Sequence, residues 1–204
     1  MYEVLEKEIE NIQSEDYRDF VRYYLDEVCP RYFYEIGASA SGKFHPVFAQ
    51  GYGGLVRHTK AVVMMAKELL NMSSYAYLKD EYKDLIFVAC ILHDTCKYGM
   101  GDVVDKSEYM AHARNASYRV AEAWQEFFGE IAPPHLLMAI RSHMGQWSDP
   151  ADDRPMTSLD RCVHMADYMA SRPFIDIPEL SAEAKLAVVK AVVANQVLML
   201  TCSK

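Results

Sequence analysis

The chain has 204 residues, 51% of them hydrophobic, enough to bury a sizeable core in one domain with extensions. Its formal net charge is −8, and no apolar run approaches the roughly eighteen residues a membrane span needs. These numbers argue against a transmembrane segment and a broadly basic polymer-binding surface.

The acidic start "MYEVLEKEIENIQSEDY" has no apolar leader core, so the expected location is cytoplasmic. Five cysteines, with no CxxC pair among them, are expected to be reduced, buried thiols (Cys29, Cys90, Cys96, Cys162, Cys202). Residues 1–30 hold three Lys/Arg against nine Asp/Glu, so most of the acidity sits there and the rest is nearly neutral. That distribution fits a solvated N-terminal helix face and leaves room for a phosphate-bearing substrate elsewhere.

The spacing of Val4, Leu5, Ile9 and Ile12 predicts a helical segment, resumed by Phe20, Val21, Tyr24, Leu25 and Val28 until Pro30 stops it. A Gly/Ser/Pro-rich loop follows, "GASASGKFHPVFAQGYGG". Helices are then predicted from His58 to Met72, from Tyr82 to Lys97 with Gly99 and Gly101 ending it, and from Ala111 to Phe128. The last of these carries Ala113, Ala116, Val120, Trp124 and Phe127 on one face. Further helices are expected from His135 to Met144, from Thr157 to just before Pro173, and from Ser181 to Thr201. Strand-like alternation is missing, so the expected fold class is all-α, a helical bundle. Its expected divisions are an N-terminal extension and loop (1–43), a core (44–175) and a C-terminal helix (176–204). That last helix, with Leu186, Val189, Val193, Val197 and Leu200 in register, packs on the core or forms a homodimer interface; spacing leaves both open.

The stretch "CILHDTCKYG" ends the apolar run "LIFVACIL" with a histidine and an aspartate. His58, His93, Asp94, His112, His143 and Asp167 fall at helix ends or on apolar faces of five separate predicted helices. A carboxylate on such a face is costly unless it is paired or binds a metal. Imidazole and carboxylate together suit first-row divalent ions. Taken singly, each residue also has a plain structural role: a hydrogen-bonded core histidine, Asp167 paired with Arg161 or Arg172, or Lys97 as a helix C-terminal cation. The ordered set favours the metal. Of the remaining histidines, His45 reads as a surface or substrate-side residue, His135 as structural, and His164 as a support behind Asp167.

With these residues in hand the sequence resembles the HD-domain metal-dependent phosphohydrolase superfamily, marked by an H…HD…D ligand order on a helical bundle. The match is His58, His93, Asp94 and Asp167. His112 and His143 resemble the subset that holds a second metal. "GGLVRHT", "ILHDTCK", "SHMGQW" and "HMADYMASR" are similar to the 3′→5′ exoribonuclease-like branch, over about residues 44–172. Two departures stand out. No strand-rich segment supplies the OB-type nucleic-acid-binding domain of that branch, and Thr95 and Cys96 stand where "HD-x-G-K" is usual.

The resemblance implies one or two divalent ions (Mn²⁺, Fe²⁺, Ni²⁺, Zn²⁺ or Mg²⁺) and hydrolysis of a phosphate ester of a nucleotide or short oligonucleotide. Asp94 and Lys97 are the expected catalytic residues, with Asp160 a weak candidate base. Arg57, Arg141 and Trp147 are candidate substrate contacts, though either arginine also reads as a surface residue. Tyr52, Tyr98, Tyr109 and Tyr168 are further aromatics near the ligands. The rival readings are a non-catalytic HD scaffold that binds a nucleotide or a protein, and a plain helical interaction module.

Overall fold

The computed structural model describes residues 1–39, 45–148, 153–187 and 190, and these contain helices and turns but no strand. The helices are α1 (Glu6–Ile9), α2 (Glu15–Tyr23), α3 (Gly54–Leu70), α4 (Asp80–Leu92), α5 (His112–Phe128), α6 (Pro134–Arg141) and α7 (Ser158–Ala170). A further helix, α8, covers 178–187. The all-α bundle is therefore as expected. No helix among the described residues is long and apolar enough to cross a membrane.

Helix α4 is the axis of the bundle. From Asp84 to Leu92 every residue is buried, so this helix is apolar all round rather than amphipathic, as a helix enclosed on every side must be. α3, α6 and α7 pack around it, and α5 closes the far side against α6.

The N-terminal segment completes the same core. Leu5, Ile9, Ile12, Phe20, Val21, Tyr24 and Leu25 are buried in one cluster with α3, α4 and α7, each such side chain contributing about 1.5–3 kcal/mol. Phe20 sits among Trp124, Phe127 and Phe128 of α5, at ring separations of 4.8, 5.8 and 5.7 Å. The acidic face points outward, where Arg22 bridges Glu6 and Asp19. The turn between α1 and α2 is fixed from a distance: buried Asp84 accepts the backbone N–H groups of Gln13 and Ser14 at 2.8 and 2.9 Å.

Several helix boundaries differ from expectation, and three of the differences have a clear local reason. The helix predicted to reach Lys97 stops at Leu92. The carbonyl of Cys90, which would accept the Asp94 N–H in a continuing helix, takes a bond from the His93 ring instead, and Thr95 Oγ1 donates to the Leu92 carbonyl. The HD dyad thus lies in the turn beyond the helix. In the same way α6 ends at Arg141, and His143 lies past it with its ring on the Ile140 carbonyl. Helix α3 starts four residues earlier than predicted, at Gly54. A Cβ at Gly54 would lie 2.3 Å from the Ala49 carbonyl oxygen, so only glycine lets the helix start this close to residues 47–49.

The helix expected from Ser181 begins at 178, and its extension to Thr201 lies outside the described residues. It docks by Ile177 and Leu180 in the core and by the pair Lys60–Glu183 at 3.0 Å. Cys29, Cys90, Cys96 and Cys162 are buried free thiols; Cys202 lies outside the described residues.

Replacing Asp84 by Ala leaves two backbone donors unmet at the α1–α2 turn, and we expect a loss of about 1–3 kcal/mol in stability. Urea unfolding followed by circular dichroism measures it directly; an unchanged midpoint would show that the turn needs no such tie.

Candidate metal centre

The six residues singled out from the sequence converge at one end of α4. His58 comes from the second turn of α3, His93 and Asp94 from the turn after α4, and His112 from the start of α5. His143 comes from the turn after α6, and Asp167 from the last turn of α7. His58, His93, Asp94, His112 and His143 are all buried. Asp167, with 16% of its side chain exposed, is the most open of the six.

Three of the histidines share one arrangement. Nδ1 of His93, His112 and His143 faces the backbone carbonyl three residues earlier, of Cys90, Tyr109 and Ile140 respectively. A carbonyl oxygen only accepts, so each Nδ1 carries the proton and donates. In the neutral ring Nε2 then carries a lone pair. These lone pairs all point inward: Nε2 of His112 and His143 lie 3.1 Å apart, with Asp94 Oδ1 at 3.2 Å from the first and 3.6 Å from the second.

The other carboxylate oxygen faces the other half of the cluster. Asp94 Oδ2 lies 3.8 Å from His93 Nε2 and 4.0 Å from His58 Nε2, and 2.5 Å from Lys97 Nζ, which donates to it. Asp167 Oδ1 stands 2.9 Å from His58 Nε2 and 3.8 Å from His93 Nε2. The His58–Asp167 approach is short, but it lacks the alignment of an N–H···O bond. Nε2 of His58, Nε2 of His93 and Oδ1 of Asp94 are buried without a hydrogen-bond partner.

Acceptors facing acceptors at these distances repel unless a cation lies between them. Three sets meet that need, each with its ligand atoms within 4.8 Å of one another: His58/His93/Asp94, His93/His143/Asp167 and Asp94/His112/His143. The donor chemistry fits a first-row divalent ion of imidazole and carboxylate preference.

Electrostatics point the same way. Burial alone would raise the Asp94 carboxyl, but Lys97, His93 and His112 outweigh it and hold it well below the usual carboxylate range. Burial would likewise raise Asp167, and His58, then His93 and His143, pull it down. Burial lowers His93 and drives His143 down to about 3, with His93 and His112 adding to the effect. Burial would lower Lys97 too, but Asp94 raises it, so the ammonium is retained.

Several sequence-based expectations change here. Arg57, expected as a substrate contact or a surface residue, is buried and donates to the backbone carbonyls of Phe48, Gln50 and Tyr52, holding the loop before α3. Arg141 keeps the one-third exposure that either expected role needs, and lies beside buried Asp153, 2.6 Å from Nε to Oδ1. Asp160, the candidate base, is buried in a structural role: Thr157 and Asp160 form a capping box at the start of α7, and Asp160 accepts the Met156 and Thr157 N–H groups. The T-x-x-D spacing in "TSLD" carried that signal. Asp167 pairs with His58 rather than with Arg161 or Arg172, and the Arg172 guanidinium lies 4.0 Å over the Tyr168 ring.

His45, expected at the surface or on the substrate side, lies beside the cluster. It is half-buried, with its ring edge-on to His58 at 5.0 Å, and burial pushes it down to about 3. His135 packs edge-on against Tyr82. His164 does not enter the cluster; its Nδ1 donates to the His143 carbonyl at 2.7 Å. Gly145, present in "SHMGQW" but unassigned from sequence, makes this contact possible: its φ is +60°, and a Cβ there would lie 2.1 Å from the His164 ring. Among the aromatics Tyr98 is core, Tyr52 is exposed, and Tyr109 stacks on His112. Trp147 is half-exposed and stacks parallel on Tyr168 at 5.9 Å.

A pH dependence follows for the chelator-stripped chain. His143 titrates at about 3 when folded and about 6.5 when unfolded. The unfolded chain therefore binds the extra proton between these values, and stability falls as pH drops through that window. The slope from this residue is at most about 1.4 kcal/mol per pH unit. Urea midpoints at pH 7, 6 and 5 should decrease in that order, and His143→Asn should flatten the trend; an equal trend in both proteins would contradict the burial of a neutral ring.

Among known proteins, the HD domain family profile matches residues 55–172, which take in all six converging side chains. No curated protein and no solved structure gives a significant match. With more than half its length matched, the chain belongs to the HD domain family.

Proposed function

We propose that this chain is a metal-dependent phosphohydrolase that hydrolyses a phosphate ester of a nucleotide or short oligonucleotide. The observation that carries the reading is the convergence of protonless Nε2 atoms and carboxylate oxygens on shared points, with Lys97 the cation already bonded at the centre. His58, His93, Asp94 and Asp167 would hold one ion. His112 and His143 would hold a second, with Asp94 shared through its two oxygens. When bound, such ions draw charge from phosphoryl oxygens and acidify water, which is the chemistry hydrolysis needs at neutral pH.

The protein's own groups do the positioning. The backbone carbonyls of Cys90, Tyr109 and Ile140 fix the tautomer and direction of three imidazoles. Lys97 holds Asp94 in place and keeps two further N–H donors, a fixed positive charge for a developing phosphoryl anion. The Trp147–Tyr168 pair offers an exposed aromatic face on which a base can stack. The motifs "GGLVRHT" and "HMADYMASR" support placement in the exoribonuclease-like branch, with short rather than long polymers as substrates in view of the net acidic charge.

The direct test is hydrolysis by chelator-stripped protein refilled separately with Mn²⁺, Ni²⁺, Zn²⁺ and Mg²⁺. The panel holds a generic phosphodiester, nucleoside mono- and triphosphates, cyclic nucleotides and short single-stranded RNA and DNA. Asp94→Ala should lose bound metal and turnover together, as read by elemental analysis and rate. Lys97→Ala should keep its metal and lose roughly a hundredfold in kcat. Full activity in Asp94→Ala overturns the assignment, and metal binding with no turnover on any substrate shifts it to a non-catalytic scaffold.

The His112/His143 half can be tested separately. Gly145→Ala pushes a methyl into the His164 ring and displaces the carbonyl and ring of His143. A loss of about 10–100-fold in affinity for the second metal equivalent is expected, with the first unchanged. Titration followed by calorimetry separates the two, and equal loss at both would mean that the halves are not independent.

A further inference from the structure

Beside the His112 edge of the cluster lies a notch lined by Tyr109, His112, Arg114, Arg141, Trp147 and Asp153. Buried Asp153 holds two guanidinium groups there. Its Oδ2 accepts from Arg114 Nε at 2.7 Å, and its Oδ1 lies 2.6 Å from Arg141 Nε, off the N–H axis. Each arginine side chain stays about one-third exposed, at 35% and 34%, while the aspartate side chain is 6% exposed. Among the described residues, neither guanidinium has an acceptor other than Asp153.

Among the described residues of the notch, two cations share one anion. Both contacts to the carboxylate are through Nε, and the terminal N–H donors of each arginine have no acceptor among the described residues. The buried carboxylate holds Arg114 by a hydrogen bond and Arg141 by an ion pair beforehand, which lowers the side-chain entropy lost when an anion arrives. A planar fork pair of this kind suits phosphate oxygens. Arg114 and Arg141 are each two residues from a cluster histidine, which places their Cα atoms within about 7 Å of those of His112 and His143. A simple structural tie between α5 and the segment at 153 would need one arginine, not two like charges on one carboxylate.

We infer that Arg114 and Arg141, set by Asp153, bind a second, non-scissile phosphate of the substrate while the ester being cleaved sits at the metal cluster. The inference rests on the phosphohydrolase reading for the identity of the first site. The ligand chemistry is a nucleoside with two separated phosphate groups, present either in a nucleoside bisphosphate or in an oligonucleotide with a 5′-phosphate.

Calorimetric binding to the full-length protein, with and without Mn²⁺, tests it using thymidine 5′-monophosphate, thymidine 3′,5′-bisphosphate and 5′-phosphorylated dithymidylate. The wild-type chain should bind one or both of the two-phosphate ligands at least about tenfold more tightly than the monophosphate. Which one shows the gain identifies the source. Arg114→Gln and Arg141→Gln should each remove most of that preference, and Arg114→Lys, which keeps charge but loses the fork, should keep part of it. Circular dichroism melts show whether each variant is folded, and the conservative Arg114→Lys serves if either glutamine variant is not. Equal affinity for all three ligands in the wild type, or an unchanged preference in folded variants, overturns the clamp. Turnover with no such preference leaves the hydrolase and removes the clamp. A preference lost in the variants, without turnover on any substrate, keeps the clamp and removes the hydrolase.

Discussion

The contact on which the candidate site depends is a side-chain hydrogen bond to the backbone. In His93, His112 and His143 the ring nitrogen Nδ1 donates to the carbonyl three residues earlier. This one bond fixes the ring plane, decides which nitrogen keeps a lone pair, and for His93 and His143 uses the carbonyl that would have continued the helix. Helix termination and ligand orientation are thus one event: the helix stops where its last carbonyls are given to imidazoles.

The buried pair of Lys97 and Asp94 works against the same background. A carboxylate 3% exposed among four imidazoles would be costly by itself. Lys97 supplies the compensating charge on one oxygen, while the other faces His112 and His143. Asp94 therefore stays ionised and keeps an oxygen toward each half of the cluster, which the alternative of a plain helical module gives no reason for. The all-round apolar helix α4 holds this dyad rigidly, because no face of it is free to shift toward solvent.

Much of the fold was legible because its signals are local. Helical periodicity, prolines and glycines place the helices, and the absence of alternation yields an all-α bundle. The six converging residues were legible too, since imidazoles and carboxylates on apolar faces are expensive without a shared purpose. The helix ends were less so: Leu92 and Arg141 end their helices through side-chain bonds that propensity does not register. The loop-holding role of Arg57 was not legible, because a charged residue beside a ligand suggests a substrate contact or a surface position, whereas three carbonyls of one loop claim its donors. The capping role of Asp160 is signalled by Thr157, three residues away, rather than by anything beside the ligands.

The sequence by itself determined which residue types could form a metal site, their order along the chain and the helical class that carries them, because these follow from composition and spacing. Only the tertiary structure decided which imidazole nitrogen faces inward, that Asp94 divides its oxygens between two sets of ligands, and that Asp153 joins Arg114 to Arg141. These depend on distances between residues 39 and 12 positions apart, and on chain direction at helix ends, which no local pattern encodes. The physical reason is that ligand chemistry belongs to the side chain, whereas convergence belongs to the packing of helices around α4.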